Sequence, residues 1–166
     1  LSAATSAPPA LRYLQGYPAE TLAQVEHLLQ QDRIADWLRT KYPQAHDIRT
    51  DKALFDYVQT LKTSYLRSAE PLSKVLFDNK LEVMQHALGT HTSVSRVQGS
   101  KLKTKREIRV AALFKHTPVE FLQMICVHEL AHLKELCRHM APDYHQLEFE
   151  LRVYLVHLQT SGQPLW

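Results

Sequence analysis

A chain of 166 residues, 45% hydrophobic and 22% charged, is long enough to bury one substantial core and too short to suggest two full domains. Its formal net charge of +3 is mild for a dedicated nucleic-acid-binding module, so that partner is only weakly supported. No stretch approaches the roughly 18 to 20 uninterrupted apolar residues of a membrane-spanning helix, which predicts a soluble protein with no membrane partner.

The first ten residues, Leu1 to Ala10, are rich in Ala, Ser and Pro and lack the positive and apolar regions of a signal peptide. Residues 1–12 are therefore expected to form a disordered leader, and residues 13–166 a single domain. The cysteines are Cys126 and Cys137, without the paired spacing of a zinc ribbon or a thioredoxin-type site. This usage fits a reducing cytoplasm, with Cys126 as a buried, inert thiol.

From Pro18 to Leu38 the residues Leu22, Val25, Leu28, Leu29 and Trp37 recur at helical spacing, which predicts one amphipathic helix. A second helix begins near Thr50-Asp51, carries Leu54, Tyr57, Val58, Leu61 and Tyr65 on one side, and ends before Pro71. The period then changes to two. Val75 and Phe77 before Asp78-Asn79, with Leu81 and Val83 after, read as a hairpin. Thr92 to Gln98 and Glu107 to Ala111 read as further strands of a small, mostly antiparallel sheet. Between them, Gly99 to Lys105 is a loop or an extended cationic arm.

Thr117-Pro118-Val119-Glu120 has the form of a helix start, with Thr as N-cap, Pro at the first position and Glu placed for a capping box. The run Phe121, Leu122, Met124, Ile125, Cys126 and Val127 is apolar around most of the circumference and predicts a buried helix. A last helix, from about Tyr144 to Gln159, places Leu147, Leu151, Leu155 and Leu158 on one stripe. The fold class is thus α+β.

Within the buried helix, His128 and His132 are four residues apart, about 40° around and about 6 Å along the axis, so both imidazoles can reach one ion. Glu129 beside them is placed to take a proton from a water held by that ion. The pattern assigns His128 and His132 as metal ligands and Glu129 as general base, with Zn2+ or another divalent transition metal as cofactor. Random shuffling yields about 0.04 such patterns per chain, and burial of a carboxylate among imidazoles without a cation would be costly.

The run Val127 to Glu135, the stretch Ser95-Arg96-Val97-Gln98-Gly99, the strand Glu107-Ile108-Arg109-Val110, and His139-Met140 with Pro142 and Tyr144 to Phe149 resemble the YgjP-like metal-dependent hydrolases. These are kin to SprT-like and WLM-type zinc peptidases of gluzincin type. The resemblance covers about Tyr13 to Leu158. It implies a zincin-like core in which two N-terminal helices, a small sheet, the buried His-Glu-x-x-His helix and a C-terminal helix pack together. It also implies a zinc-dependent hydrolase of metallopeptidase type acting on a peptide. A metal-dependent nucleotide pyrophosphatase of UTP type, with a phosphate-bearing substrate, is the alternative, and a non-catalytic zincin-fold binding module is a third reading.

One departure stands out. Family members continue past the equivalent of Glu135 by nine or ten residues containing a third histidine, whereas here Glu135 runs directly into Leu136-Cys137-Arg138-His139-Met140. His139 is a weak substitute ligand, and His145 and Glu148 fit structural hydrogen bonds as well as metal. Lys101, Lys103, Lys105, Arg106 and Arg109 read as a solvated charged hairpin or, with Arg96, as contacts to phosphates.

Overall fold

Asp32 divides the first helical run. In the computed structural model its φ is +53°, its amide donates to Leu29 O at 3.1 Å, and the Arg33 amide donates to Leu28 O at 2.9 Å. This is the paired closure of a Schellman motif, with Asp where Gly is usual. The stretch expected as one helix is therefore two, and periodicity missed the break because apolar spacing resumes beyond it. The structure describes residues 9–67, 71–81, 89–98, 101–131 and 144–166, with side chains at 9–10, 65, 89–98 and 101–105 left out. Its helices are α1 (Ala19–Gln30), α2 (Ile34–Lys41), α3 (Asp51–Tyr65), α4 (Val119–Ala131) and α5 (His145–Ser161). The strands are β1 (Lys74–Asp78), β2 (Gly89–Gln98) and β3 (Lys101–Ala111), and short 3-10 helices span Pro9–Leu14 and Ala112–His116. The α+β class is thus observed. No helix among the described residues is long and apolar enough to cross a membrane.

The chain divides into two compact units, the first Leu1–Ala45 with Tyr144–Trp166 and the second His46–Asp143. In the first, α5 packs on α2 and on the Pro9–Leu14 turn, burying Leu14, Leu38, Leu151 and Tyr154. Phe149 meets Tyr17 and Trp37 with ring centroids 5.4 and 6.3 Å apart. At the buried end of the α2 contact, Glu150 accepts hydrogen bonds from Lys41, Tyr42 and, at 2.9 Å, Gln146. Burial pushes this carboxyl up, but those three donors and the Lys41 charge outweigh it and hold the group below its ordinary range. α5 ends at Gly162, whose φ of +70° suits the left-handed cap.

In the second unit, Thr50 caps α3 by accepting from the Ala53 amide at 3.1 Å. The Asp51 carboxylate accepts from the Phe77 amide at 2.9 Å and ties that helix to β1. The sheet among the described residues has the order β1-β3-β2, with β1 parallel to β3 and β2 antiparallel to it. β1 thus pairs with β3 over Lys74↔Glu107 to Asp78↔Ala111. The second arm of the hairpin expected at Asp78-Asn79, around Val83, lies outside the described residues, and the pairing seen for β1 is the parallel one with β3. Val75, Phe77, Ile108 and Val110 alternate into the core beside α3 and α4. β3 is also longer than expected, because Lys101 to Lys105 continue the ladder opposite Gln98 to Val94. The cationic stretch is an arm of the sheet.

Candidate active site

Why α4 sits in the middle of its unit follows from its sequence. Phe121, Leu122, Met124, Ile125, Cys126 and Leu130 are buried on several sides of the helix, which packs against α3, β2 and β3. Its entry is held from outside. The His46 amide donates to Thr117 O at 3.1 Å, and His46 Nε2 lies 2.6 Å from Phe114 O. The Ile48 amide donates to His46 Nδ1 at 2.9 Å, so Nδ1 accepts and Nε2–H donates, and the ring is fixed as one neutral tautomer. Burial, with smaller contributions from Arg49 and His116, lowers the His46 pKa against the opposing Phe114 carbonyl and Asp47. Nothing in its local sequence marked His46, because besides the Ile48 amide its partners are the Phe114 and Thr117 carbonyls, 68 and 71 residues away. The expected capping box is absent, since the Thr117 hydroxyl donates to Phe114 O and Pro118 O, each at 3.3 Å, instead of accepting from the helix.

At the other end of α4, His128 is exposed and Glu129 is only 3% exposed. Consecutive residues of a helix lie about 100° apart, so one side chain meets solvent while the next enters the core. Burial alone pushes the Glu129 carboxyl up to about 7. One turn earlier, burial and then the Glu129 charge push the Cys126 thiol well above its ordinary value, which makes it an inert core residue as expected. His132, Cys137 and His139 lie outside the described residues. No group of three or more His, Cys, Asp or Glu placed to hold a metal occurs among the described residues. Of the remaining candidates, Glu148 is committed to an ion pair with Arg152 at 2.9 Å, and His145 is exposed at the start of α5, both in the first unit.

The basic arm resolves into two sets. Arg109 donates to Glu107 at 2.7 Å and to Asp78 at 2.9 Å, so its charge is compensated where β3 joins β1. The Arg109 hydrogen bond, reinforced by the Lys80 amide, holds the Asp78 carboxyl below its ordinary range. Arg106 pairs with Ser93 and alternates with Ile108, whereas Lys101, Lys103 and Lys105 alternate with Glu107 and Arg109.

No family model matches this chain, and no solved structure matches it. A protein of Escherichia coli (strain K12) named UTP pyrophosphatase is 55% identical over 164 residues, which cover 93% of this chain and 98% of the relative. The chain belongs to the UTP pyrophosphatase family. Membership corrects the resemblance to YgjP-like hydrolases as kin of SprT-like and WLM-type zinc peptidases, because the relative is named for a nucleotide and not for a peptide bond. The zinc metalloprotease reading falls with it. The physical reason is that a His-Glu-x-x-His helix specifies donor atoms and a proton acceptor, and neither selects a carbonyl over a phosphoryl centre. An enzyme of the hydrolase class remains the family's character.

Proposed function

We propose that this protein is a metal-dependent nucleotide pyrophosphatase of UTP type, which hydrolyses a nucleoside triphosphate to the monophosphate and pyrophosphate. The observation that carries this reading is the 55% identity, across nearly the whole chain, to an enzyme named for that reaction. The residues present fit a divalent ion by their donor chemistry. His128 stands at the helix surface, one turn before His132 in the sequence, and the Glu129 carboxyl beside it is buried. His128 and His132 would hold the ion, and a helix with two imidazoles suits Zn2+ or another transition metal in a zincin-like core. When bound, such an ion polarises a phosphoryl oxygen and makes water more acidic.

The chain's own residues account for the proton. Glu129 accepts it from the attacking water, whose oxygen forms one new P–O bond. The α–β bridging P–O bond breaks, and pyrophosphate leaves with its electron pair. Burial of Glu129 fixes its rotamer and excludes bulk water from the carboxyl, while His128 remains reachable from solvent.

The test is UTP hydrolysis with both products identified, on protein whose bound metal has been measured by elemental analysis. Glu129→Gln is expected to lower kcat at least ~100-fold while the metal content is unchanged. Full activity in a metal-replete variant would remove Glu129 from the mechanism, and an inert wild type holding one metal per chain would remove the nucleotide reading.

A further inference from the structure

The register of β2 on β3 sorts the arm's charges. Arg96 pairs with Lys103, Val94 with Lys105 and Gln98 with Lys101. Residues directly opposite in an antiparallel pair share a face, as do residues i and i+2 of a strand. Arg96, Lys101, Lys103 and Lys105 therefore fall on one face of the ribbon, with no carboxylate among its positions from Val94 to Lys105. Ser93, Ser95, Val97, Leu102, Thr104 and Arg106 fall on the other. The ladder with β1 begins at Glu107, so among the described residues this face belongs to a two-stranded ribbon that runs past the three-stranded sheet. At its root the sign is cancelled, because Arg109 is bridged by Glu107 and Asp78.

The concentration of charge is far from that of a solvated surface, where signs are mixed. Between Ser93 and Arg106 lie five of the chain's 20 Lys and Arg and none of its 17 Asp and Glu, so without this stretch the formal balance of +3 would be −2. Four like charges on neighbouring positions of one face repel, and a polyanion seated across them would neutralise that repulsion. Lys101 to Lys105 span about 13 Å along the strand, and Arg96 stands about 5 Å across from the middle lysine. A nucleoside triphosphate carries close to four negative charges at neutral pH, given about −1.5 to −2 on a terminal phosphate and one on each inner phosphate. Number and sign match.

We propose that Arg96, Lys101, Lys103 and Lys105 form the triphosphate-binding subsite of the enzyme, which reads the number of phosphates in preference to the base. This rests on the nucleotide reading above. Arg96 supplies the forked donor and the three lysines supply point charges. Arg106, although adjacent in sequence, belongs to the opposite face and is not a member.

The test uses the metal-loaded full chain with UTP as substrate and inorganic tripolyphosphate as a base-free probe. In Arg96→Gln/Lys103→Gln, KM for UTP is expected to rise at least ~10-fold with kcat changed less than ~3-fold, and the inhibition constant of tripolyphosphate to rise by the same factor. Arg96→Lys/Lys103→Arg, which keeps both charges, restores most of the loss, and Arg106→Gln changes neither constant. Circular dichroism melts matched to wild type separate a lost contact from a lost fold. Unchanged KM and inhibition constants in the folded double variant, with wild type hydrolysing UTP, overturn the subsite and leave the nucleotide reading standing. A wild type that hydrolyses no triphosphate overturns that reading instead, and calorimetric binding of tripolyphosphate to wild type and variant then decides the ribbon independently. Tripolyphosphate ignored by an arm that retains a single-stranded oligonucleotide through the same residues would make the ribbon a nucleic-acid contact and overturn the assignment.

Discussion

Replacing His46 by Ala tests whether the entry to α4 is held by one side chain. The substitution removes the Nε2 bond to Phe114 O at 2.6 Å and the bond from the Ile48 amide at 2.9 Å, each contributing about 1 kcal/mol. It also strips a half-buried ring, for a total of about 2 to 3 kcal/mol. In a chain of this size that is a fall in Tm of roughly 5–10 °C, measured by calorimetry near pH 7.5. The pH dependence has a definite sign. The folded-state pKa of His46 lies below its ordinary value, so the unfolded chain binds the proton first as pH falls. The stabilisation is complete above the ordinary histidine value and is lost as pH drops through the lower folded value, because a proton on Nδ1 would face the Ile48 amide. Subtracting the variant's stability–pH curve from that of wild type should reveal this step, against a background set by Asp47, Arg49 and His116, which are common to both. A Tm change under about 2 °C, or a difference curve flat between neutrality and mild acid, refutes the anchoring role.

Three further outcomes are expected. Glu150→Gln keeps the shape but removes the charge that Lys41, Tyr42 and Gln146 surround, and should cost about 1 to 2 kcal/mol by urea unfolding. Because the folded carboxyl lies below its ordinary range, that contribution is present above the ordinary range and lost as pH falls through the lowered value; a deficit independent of pH would contradict the assigned ionisation. Asp32→Gly, at the left-handed position closing α1, should stabilise by about 0.5 kcal/mol, and a clear destabilisation would show that the Asp side chain matters there. Cys126→Ser should lower stability by about 1 to 3 kcal/mol, since a hydroxyl replaces a fully buried thiol without a designed partner, and thiol-labelling of native wild type at this position should be negligible.

What was legible in the sequence follows from the range of the forces involved. The burial of α4 was legible because an all-round apolar stretch has one stable place, although its capping was not, and its buried Glu129 was singled out by His128 and His132 beside it. The α1–α2 break was not legible, since Asp32 lacks the Gly that normally marks a left-handed cap. The pairing of β1 was missed for a different reason. Its parallel partner β3 lies some 33 residues on and is favoured by burial of Val75 and Phe77 with Ile108 and Val110, which the local turn signal at Asp78-Asn79 does not report. His46 and Glu150 work through partners distant in sequence, so no local pattern announces them.

The substrate was the least legible property, and the reason is chemical. Two imidazoles and a carboxylate on one helix define a place where water loses a proton, and that chemistry serves an amide carbonyl and a phosphoanhydride alike. What separates the two substrates is the charge each brings: a peptide segment is near neutral, whereas a triphosphate carries close to four negative charges. Discrimination must then reside in positive charge that is concentrated and placed. The five cations between Ser93 and Arg106 meet the condition of concentration in the sequence alone. Strand alternation alone sets Lys101, Lys103 and Lys105 on one face of β3 and Arg106 on the other, and the register of β2 on β3 adds Arg96 to the lysines, while Arg109 at the root is bridged by Glu107 and Asp78. A strand slipped by one residue would put Lys103 opposite Ser95 or Val97 and move Arg96 to the other face, leaving the three lysines together without the forked donor. Register thus decides whether β2 contributes its arginine to the face that carries the lysines of β3.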